Sequence, residues 1–140
     1  MSRPRIVNPP ALGHPRGYAN GVLAPAGSRI LFVAGQVGWD GEQRVVGPGF
    51  VEQFERALAN VLAVVAEAGG EPEHVVRLTV YVTSKEEYLA NLSDLGAAWR
   101  RTMRRHYPAM ALVEVAGLVE EGAKVEIEAT AALPPEREEP

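Results

Sequence analysis

Three glutamates near the end of the chain are placed where carboxylates could act as acids or bases. Glu126 and Glu128 are two residues apart in the segment VEIEATA, whose alternate positions are apolar. Such alternation puts both carboxylates on one face of a strand, roughly 7 Å apart. Glu114, on the preceding strand-like segment, could join them. A glutamate on a sheet face usually meets solvent, and it lines a cleft only where something, here expected to be another subunit, covers that face.

Other residues that often carry chemistry show no useful spacing. The chain has no cysteine, which excludes disulfides, thiolate-bound zinc and a cysteine nucleophile. His14, His74 and His106 form no i, i+4 pair, so the sequence predicts no metal site. The segment GQVGWDG, from Gly35, lacks the spacing and the lysine of a phosphate-binding loop, so there is no nucleotide-binding motif.

A cluster of arginines lies on the last turns of the second predicted helix, at Arg100, Arg101, Arg104 and Arg105. It could contact phosphates, but cations are also favoured by the helix dipole at a helix C-terminus, and no aromatic stacking platform accompanies them. The whole chain carries 14 basic and 18 acidic side chains, a net charge of −4, which opposes broad nucleic-acid binding. We therefore expect a mainly structural cluster and no nucleic-acid partner.

The length of 140 residues, with 46% apolar and 23% charged residues, fits a single globular domain, residues 1–140. Prolines and glycines predict an irregular arm over residues 1–17, and the charged end predicts a solvated tail over residues 134–140. Prolines interrupt the start where a signal peptide needs apolar residues, and no apolar run approaches the roughly 18 residues of a membrane span. We expect a cytoplasmic protein with no membrane partner.

Hydrophobic periodicity predicts five strands and two helices. The first helix has apolar residues at three- and four-residue steps from Val51 and stops at Gly69-Gly70. The second begins at Ser84, which with Glu87 has the pattern of a capping box, and ends before Pro108. Strand-like segments cover residues 18–23, 29–34, 74–83, 111–118 and 125–133.

The order of these elements predicts an α+β domain, in which two helices lie on one face of a mixed β-sheet. The strand–helix–strand passages allow right-handed parallel crossovers. The two strands at each end of the chain are expected to form antiparallel hairpins.

Several segments together resemble the reactive intermediate deaminase family, also called the Rid, YjgF or L-PSP endoribonuclease family, over roughly residues 18–132. They are Gly17-Tyr18, FVAGQVGWDG from Phe32, EQFERALANVLAVVAEAGG from Glu52, VVRLTVYVTSKEEYLANLSDL from Val75, YPAMALVEVAGL from Tyr107 and VEIEATA from Val125. The resemblance implies a YjgF/chorismate mutase-like fold and a homotrimer with a barrel-like core. Small-molecule clefts would form between subunits, and these would cover the glutamate face.

The resemblance also implies a site. Glu126 matches the glutamate thought to handle water, and is the predicted catalytic residue. The predicted substrate-binding positions are Tyr18, Ala34, Gly35, Gln36, Asn91 and Met110. From the residues alone, Tyr18 could instead pack the arm, Asn91 could make a helix–strand hydrogen bond and Met110 could fill the core.

One position carries a residue of a different chemical type from that of the family. The family's Pro-Ala-Arg signature reads Pro108-Ala109-Met110 here, so a thioether stands in place of the arginine that binds the substrate carboxylate. A guanidinium donates two charge-assisted hydrogen bonds to a carboxylate, and a thioether donates none. Ala34 also stands where better-known members often have serine. The resemblance thus implies a more apolar site, and ordinary 2-iminopropanoate hydrolysis is not expected.

Two classes of function stay open. One is a hydrolase that works on imines or enamines of a small metabolite, as deaminase members of the family do without metal or cofactor, using a glutamate to activate water. The other is a trimeric small-molecule binding protein on the same scaffold, without turnover. Endoribonuclease activity, named for some relatives, has the weakest support, because the chain is acidic and lacks a histidine pair.

Overall fold

The computed structural model describes residues 3–136 and folds them around one four-stranded sheet. The strands of the described chain, in order, are β1 (Arg5–Val7), β2 (Gly21–Leu23), β3 (Arg29–Val37), β4 (Val75–Val82), β5 (Ala109–Glu114) and β6 (Val125–Leu133), of which β3 to β6 form this sheet. Its α-helices are α1 (Phe50–Glu67), α2 (Lys85–Ala90) and α3 (Leu92–Met103), and 3-10 turns form at Pro10–Leu12 and Pro72–His74.

The sheet is mixed, with strand order β3-β6-β4-β5. Strand β6 runs antiparallel to both β3 and β4, and β5 runs parallel to β4. Both strand–helix–strand passages therefore join parallel strands, although β6 lies between β3 and β4. The predicted α+β class, with helices packed on one face of a mixed sheet, is confirmed.

The core lies between this sheet and helices α1 and α3. Alternate residues of the central strands, such as Leu78 and Ile127, are fully buried against the apolar stripe of α1, including Leu58 and Val61. Each such side chain stabilises the fold by roughly 1.5–3 kcal/mol relative to its exposed form. Helix α1 ends as predicted, where Gly69 adopts a left-handed φ of 88° that a residue with a Cβ rarely takes.

The predicted N-terminal hairpin is wrong. Strand β2 pairs antiparallel with β1, so the arm of residues 1–17 contributes a strand and is not irregular throughout. The backbone N–H of Asn20 also donates to Oδ1 of Asn8 at 2.8 Å. Strand β3 pairs instead with the nine-residue β6, which offers a longer ladder and a larger buried face than the three residues of β2.

The predicted C-terminal hairpin is also wrong, because β5 and β6 are separated by β4. Every second residue of β6 is buried, and its last three residues are all buried, so the strand is stabilised best at the centre of the sheet. Strand β5 is shorter and takes the edge. Its bounds are also earlier than the predicted 111–118.

The second predicted helix is in fact two helices. Ser84 caps α2 as predicted, accepting a hydrogen bond from the Glu87 N–H at 3.1 Å. The chain then leaves helical geometry at Asn91, with φ −122° and ψ 22°. The Asn91 side chain donates to the Glu87 carbonyl at 2.7 Å, and asparagine side chains that bond to nearby backbone in this way compete with the helix ladder. The break gives α2 and α3 separate directions.

Of the predicted tail, Pro134 to Glu136 follow β6, and residues 137–140 lie outside the described residues. The Pro134 carbonyl accepts a hydrogen bond from Nε of Arg29 at 2.8 Å. Between residues 3 and 136, none of the helices combines the length and apolar character needed to cross a bilayer.

Candidate functional site

The predicted catalytic residue lies beside a bulge. Glu126 stands opposite Val37 on β3 and Tyr81 on β4. Between Val33 and Gln36 the β3–β6 register shifts, so that Ala34 and Gly35 face a single residue of β6. Bulges of this kind redirect a strand and are frequent next to active sites.

Gly35 allows the Glu126 carboxylate to lie over β3. A Cβ placed on Gly35 would overlap a Glu126 carboxylate oxygen and would be 2.9 Å from its carboxyl carbon. Any other residue would therefore displace the carboxylate or the strand. Gln36 donates through its side-chain amide to the Ala34 carbonyl at 3.2 Å, across the same bulge. The structure thus brings together four of the predicted positions: Ala34, Gly35, Gln36 and Glu126.

The three candidate glutamates have different surroundings. Glu128 accepts a hydrogen bond at 2.7 Å from the Tyr81 hydroxyl, which raises the pKa of Tyr81, with burial and the charge of Glu128 adding to the effect. Glu114 accepts the Lys85 N–H at 2.9 Å, at the start of α2, so the expectation that it joins the pair is wrong. Glu126 accepts no hydrogen bond from residues 3–136, which leaves its oxygens available to a ligand or to water.

The face of the sheet that carries Glu126 and Glu128 is also apolar. Phe32, in the middle of β3, is 79% exposed, and Ile30 is 51% exposed. Val113 of β5 is exposed on the same face. Large apolar side chains exposed at alternate positions of one strand, as Ile30 and Phe32 are on β3, are typical of a surface that another protein surface covers.

Met110 lies on the opposite face of the sheet. It stands opposite Leu78, whose side chain is fully buried toward the helices, and it packs against the core. A cavity of about 340 Å³ opens there between β5, α2 and α3, and we call it the helix-side pocket. Its walls include Tyr88, Leu92, Trp99, Tyr107, Met110 and Leu112.

The arm brings Tyr18 beside this pocket. The Ala19 N–H donates to the Pro108 carbonyl at 3.0 Å, and Ala19 forms a parallel bridge with Ala109. Tyr18 is 41% exposed and lines a neighbouring shallow cavity, whereas Gly17 lines both cavities. The arm therefore reaches the start of β5, next to Met110.

Asn91 is placed differently from the other predicted binding residues. Its amide is bonded to the Glu87 carbonyl at the junction of α2 and α3, and the next residue, Leu92, lines the helix-side pocket. The sequence alone does not identify Leu92, Tyr88 or Trp99 as site residues. They belong to an apolar helical stripe, and wall residues of an apolar pocket share the periodicity of core residues.

The arginine cluster contains structural ion pairs. Arg101 donates two hydrogen bonds to the Glu55 carboxylate, both at 2.8 Å, joining α3 to α1. Arg104 bonds to Glu73 at 3.0 Å. For the histidines, Nδ1 of His74 accepts the Glu71 N–H, and within residues 3–136 there is no group of three potential metal-ligating His, Cys, Asp or Glu side chains.

Glu126 with its bulge and Met110 with its pocket thus form two candidate half-sites on opposite faces of one sheet. We call them the Glu126 half-site and the Met110 half-site. The first carries the free carboxylate, and the second carries the concave apolar surface.

Comparison with known proteins agrees with the sequence resemblance. The profile of the family described as Endoribonuclease L-PSP matches residues 12–133. The 2-iminobutanoate/2-iminopropanoate deaminase of Capra hircus is 32% identical over 122 residues, which are 84% of this chain and 81% of that protein.

Solved structures give the same result. A Yersinia pestis protein of unknown function from the conserved Rid protein family, YyfB, has a TM-score of 0.81 and 33% identity, covering 94% of this chain and all of that one (100%). E. coli TdcF with bound serine has a TM-score of 0.65 and 27% identity, covering 87% and 92% of the two chains. The chain therefore belongs to the Rid/YjgF family of L-PSP endoribonuclease-like proteins.

Proposed function

We propose that this protein hydrolyses an imine or enamine of a small metabolite without a cofactor, with Glu126 as the acid–base residue. The observation that carries the proposal is the Glu126 carboxylate, which lies against Gly35 and accepts no hydrogen bond from residues 3–136. Several relatives named as 2-iminobutanoate/2-iminopropanoate deaminases support this class of reaction.

The reaction needs only water as co-reactant. An enamine first takes a proton on carbon and gives up one from nitrogen, which makes it the imine. Glu126 accepts a proton from water as the water oxygen bonds to the imine carbon, and the imine nitrogen gains a proton. The hydroxyl proton of the resulting carbinolamine then passes by way of Glu126 to the nitrogen, the C–N bond breaks, the nitrogen leaves as ammonia, and the carbonyl product forms. One positioned carboxylate serves both proton transfers, a role typically worth about 10²- to 10⁴-fold in rate.

We further propose that the site is completed in a homotrimer. The two half-sites lie on opposite faces of the sheet of one chain, so a cleft that contains both needs a residue from a second copy. The exposed apolar surface around Phe32 on the Glu126 face supplies an area that such a copy would cover. An acid–base carboxylate and an apolar binding surface would then meet across the interface.

The preferred substrate is not 2-iminopropanoate in this proposal. The position that would place a guanidinium in the Met110 half-site carries a thioether, and the surrounding walls are mostly aliphatic and aromatic. A small carboxylate held directly against Met110 would lose its hydration and gain no charged partner from that position, which costs several kcal/mol.

The test is ammonia release from imines generated in situ by an amino-acid oxidase, with catalase present to remove peroxide. We expect Glu126→Gln to lower kcat by about 100-fold or more and to leave the melting temperature close to that of the wild type. Glu128→Gln is the matched control, because its amide oxygen can still accept the Tyr81 hydrogen bond. Equal loss in both variants would contradict the assignment of Glu126.

The apolar walls of the pocket also favour a second candidate, a binding protein without turnover. That function would be indicated if no imine in the panel released ammonia above the uncatalysed rate while a carboxylate ligand still bound. Glu126→Gln would then leave ligand affinity unchanged.

A further inference from the structure

The helix-side pocket has the size and walls of a site for a bulky apolar group. Its volume of about 340 Å³ lies in the range of small-molecule sites. On one wall the rings of Trp99 and Tyr107 are stacked, with centroids 5.7 Å apart and planes 4° from parallel. The Trp99 indole N–H donates to the His106 carbonyl at 3.1 Å, which fixes that ring in place. A rigid aromatic wall of this kind suits a phenyl or branched alkyl group.

A cation comes to this pocket from the arm. Arg16 is one of the lining residues, although it is 94 positions away from Met110 in the chain. The arm segment is anchored, because the Ala19 N–H bonds to the Pro108 carbonyl and Ala19 bridges Ala109. Arg16 forms no salt bridge with a carboxylate among residues 3–136, so its guanidinium is available to an anionic ligand.

We propose that the helix-side pocket binds the apolar or aromatic side chain of a carboxylic acid, and that Arg16 binds its carboxylate at the mouth. The substrate class is then a 2-imino acid, or its enamine, with a large apolar side chain. The binding part of this inference stands on the pocket itself, and its extension to turnover rests on the proposed function.

In this proposal Met110 and Arg16 contact different parts of one ligand. A guanidinium at position 110 would hold a carboxylate against β5. With Met110 there, the part of the wall that packs against the core is apolar, whereas Arg16 is exposed, so the ligand is expected to enter with its apolar end first. Guanidinium and carboxylate then meet near solvent, which lowers the cost of removing both charges from water.

Three unreactive probes test the contributions of the apolar group and of the carboxylate separately. The affinity of each probe is measured by calorimetry on the wild-type protein. They are 3-phenylpropanoate, which has both parts, propanoate, which lacks the ring, and 3-phenylpropan-1-ol, which lacks the charge. We expect 3-phenylpropanoate to bind about tenfold or more tightly than either of the others. Comparable affinity for propanoate or for the alcohol would overturn the proposal.

Two variants locate the binding. Arg16→Ala is expected to raise the Kd of 3-phenylpropanoate about tenfold or more and to remove most of the salt dependence of that Kd. The matched control is Arg5→Ala, which replaces an exposed arginine of the same arm.

Gly96→Leu fills the pocket from α3. A Cβ at Gly96 meets only Arg100, at 3.5 Å, and leucine favours helix over glycine, so this variant should fold.

Gly96→Leu is expected to weaken the binding of 3-phenylpropanoate about tenfold or more. Unchanged affinity in either Gly96→Leu or Arg16→Ala would overturn the proposal. Failure of the proposed function has a different signature: 3-phenylpropanoate binds as described, but the imine formed from phenylalanine is not hydrolysed faster than in buffer. Faster hydrolysis of the alanine-derived imine than of the phenylalanine-derived imine would overturn the assigned substrate class.

Discussion

Glu126 and Glu128 are neighbours on one face of β6, yet only one of them is free to react. Glu128 is bonded to the Tyr81 hydroxyl, whereas Glu126 lies over Gly35 with no hydrogen bond from the described residues. Alternation along the strand places both on the same face, but it does not distinguish them. The distinction depends on Tyr81 from β4 and the bulge in β3, which come from distant parts of the sequence.

In the proposed function, Met110 determines which carboxylates the site prefers, and replacing it tests that role. Met110→Arg is expected to raise ammonia release from the imine of alanine by about 10-fold or more, because a paired guanidinium contributes about 1.5–3 kcal/mol to binding a carboxylate. The measurement is kcat/KM for ammonia release, with a thermal melt to check folding.

Met110→Leu is the matched control for that experiment, since it conserves volume and adds no charge. We expect it to leave the alanine imine a poor substrate. Wild-type activity on this imine as high as in an arginine-bearing relative would contradict the role given to Met110.

Helices and strands with strong periodicity can be predicted from the sequence, but the pairing of the strands cannot. Helix α1, strand β4 and strand β6 match the predicted segments closely. The two predicted hairpins failed because partner choice depends on which long strands bury the most apolar surface together. The break at Asn91 also escaped prediction, since a single side-chain bond to the Glu87 carbonyl decides it.

The ion pair between α1 and α3 gives a pH-dependent contribution to stability. The hydrogen bond from Arg101 lowers the pKa of Glu55, and the charge of Arg101 adds to this against the opposing effect of burial. Because the folded pKa lies below the unfolded one, the contribution is present above the unfolded pKa, ordinarily about 4.5. It is lost as the pH falls through the folded pKa.

Glu55→Gln is therefore expected to lower stability by about 0.5–1 kcal/mol at pH 7, or roughly 2–4 °C in Tm, and by nothing measurable near pH 3. The measurement is a set of thermal melts between pH 3 and pH 7. Glu121→Gln, in an exposed turn, is the control and should show no such trend. A Tm difference that persisted at pH 3 would mean that packing, not charge, explains the effect of Glu55→Gln.

On the scale of the whole molecule, one chain does not bring the Glu126 half-site and the Met110 half-site together in a single cleft. Sequence resemblance placed Gly35, Glu126 and Met110 in one site, but the structure puts the Glu126 half-site and the Met110 half-site on opposite faces of a sheet. No periodicity within one chain could reveal this, because the face that a residue occupies follows from strand register, and in the proposed homotrimer the partner that covers it is another molecule. In the proposed function, assembly is therefore the step that joins the Glu126 half-site to the Met110 half-site.

Phe32 provides the means to test assembly. It is 79% exposed on the Glu126 face, so an aspartate there should not disturb the core but should place a charge in an interface formed by that face. We expect wild-type protein to have about three times the chain mass by light scattering, and Phe32→Asp to be a monomer that has lost ammonia release. Val119→Asp is the matched control, since Val119 is fully exposed in the β5–β6 connection and should leave both mass and activity unchanged. A wild-type monomer with full activity would show that one chain contains the complete site.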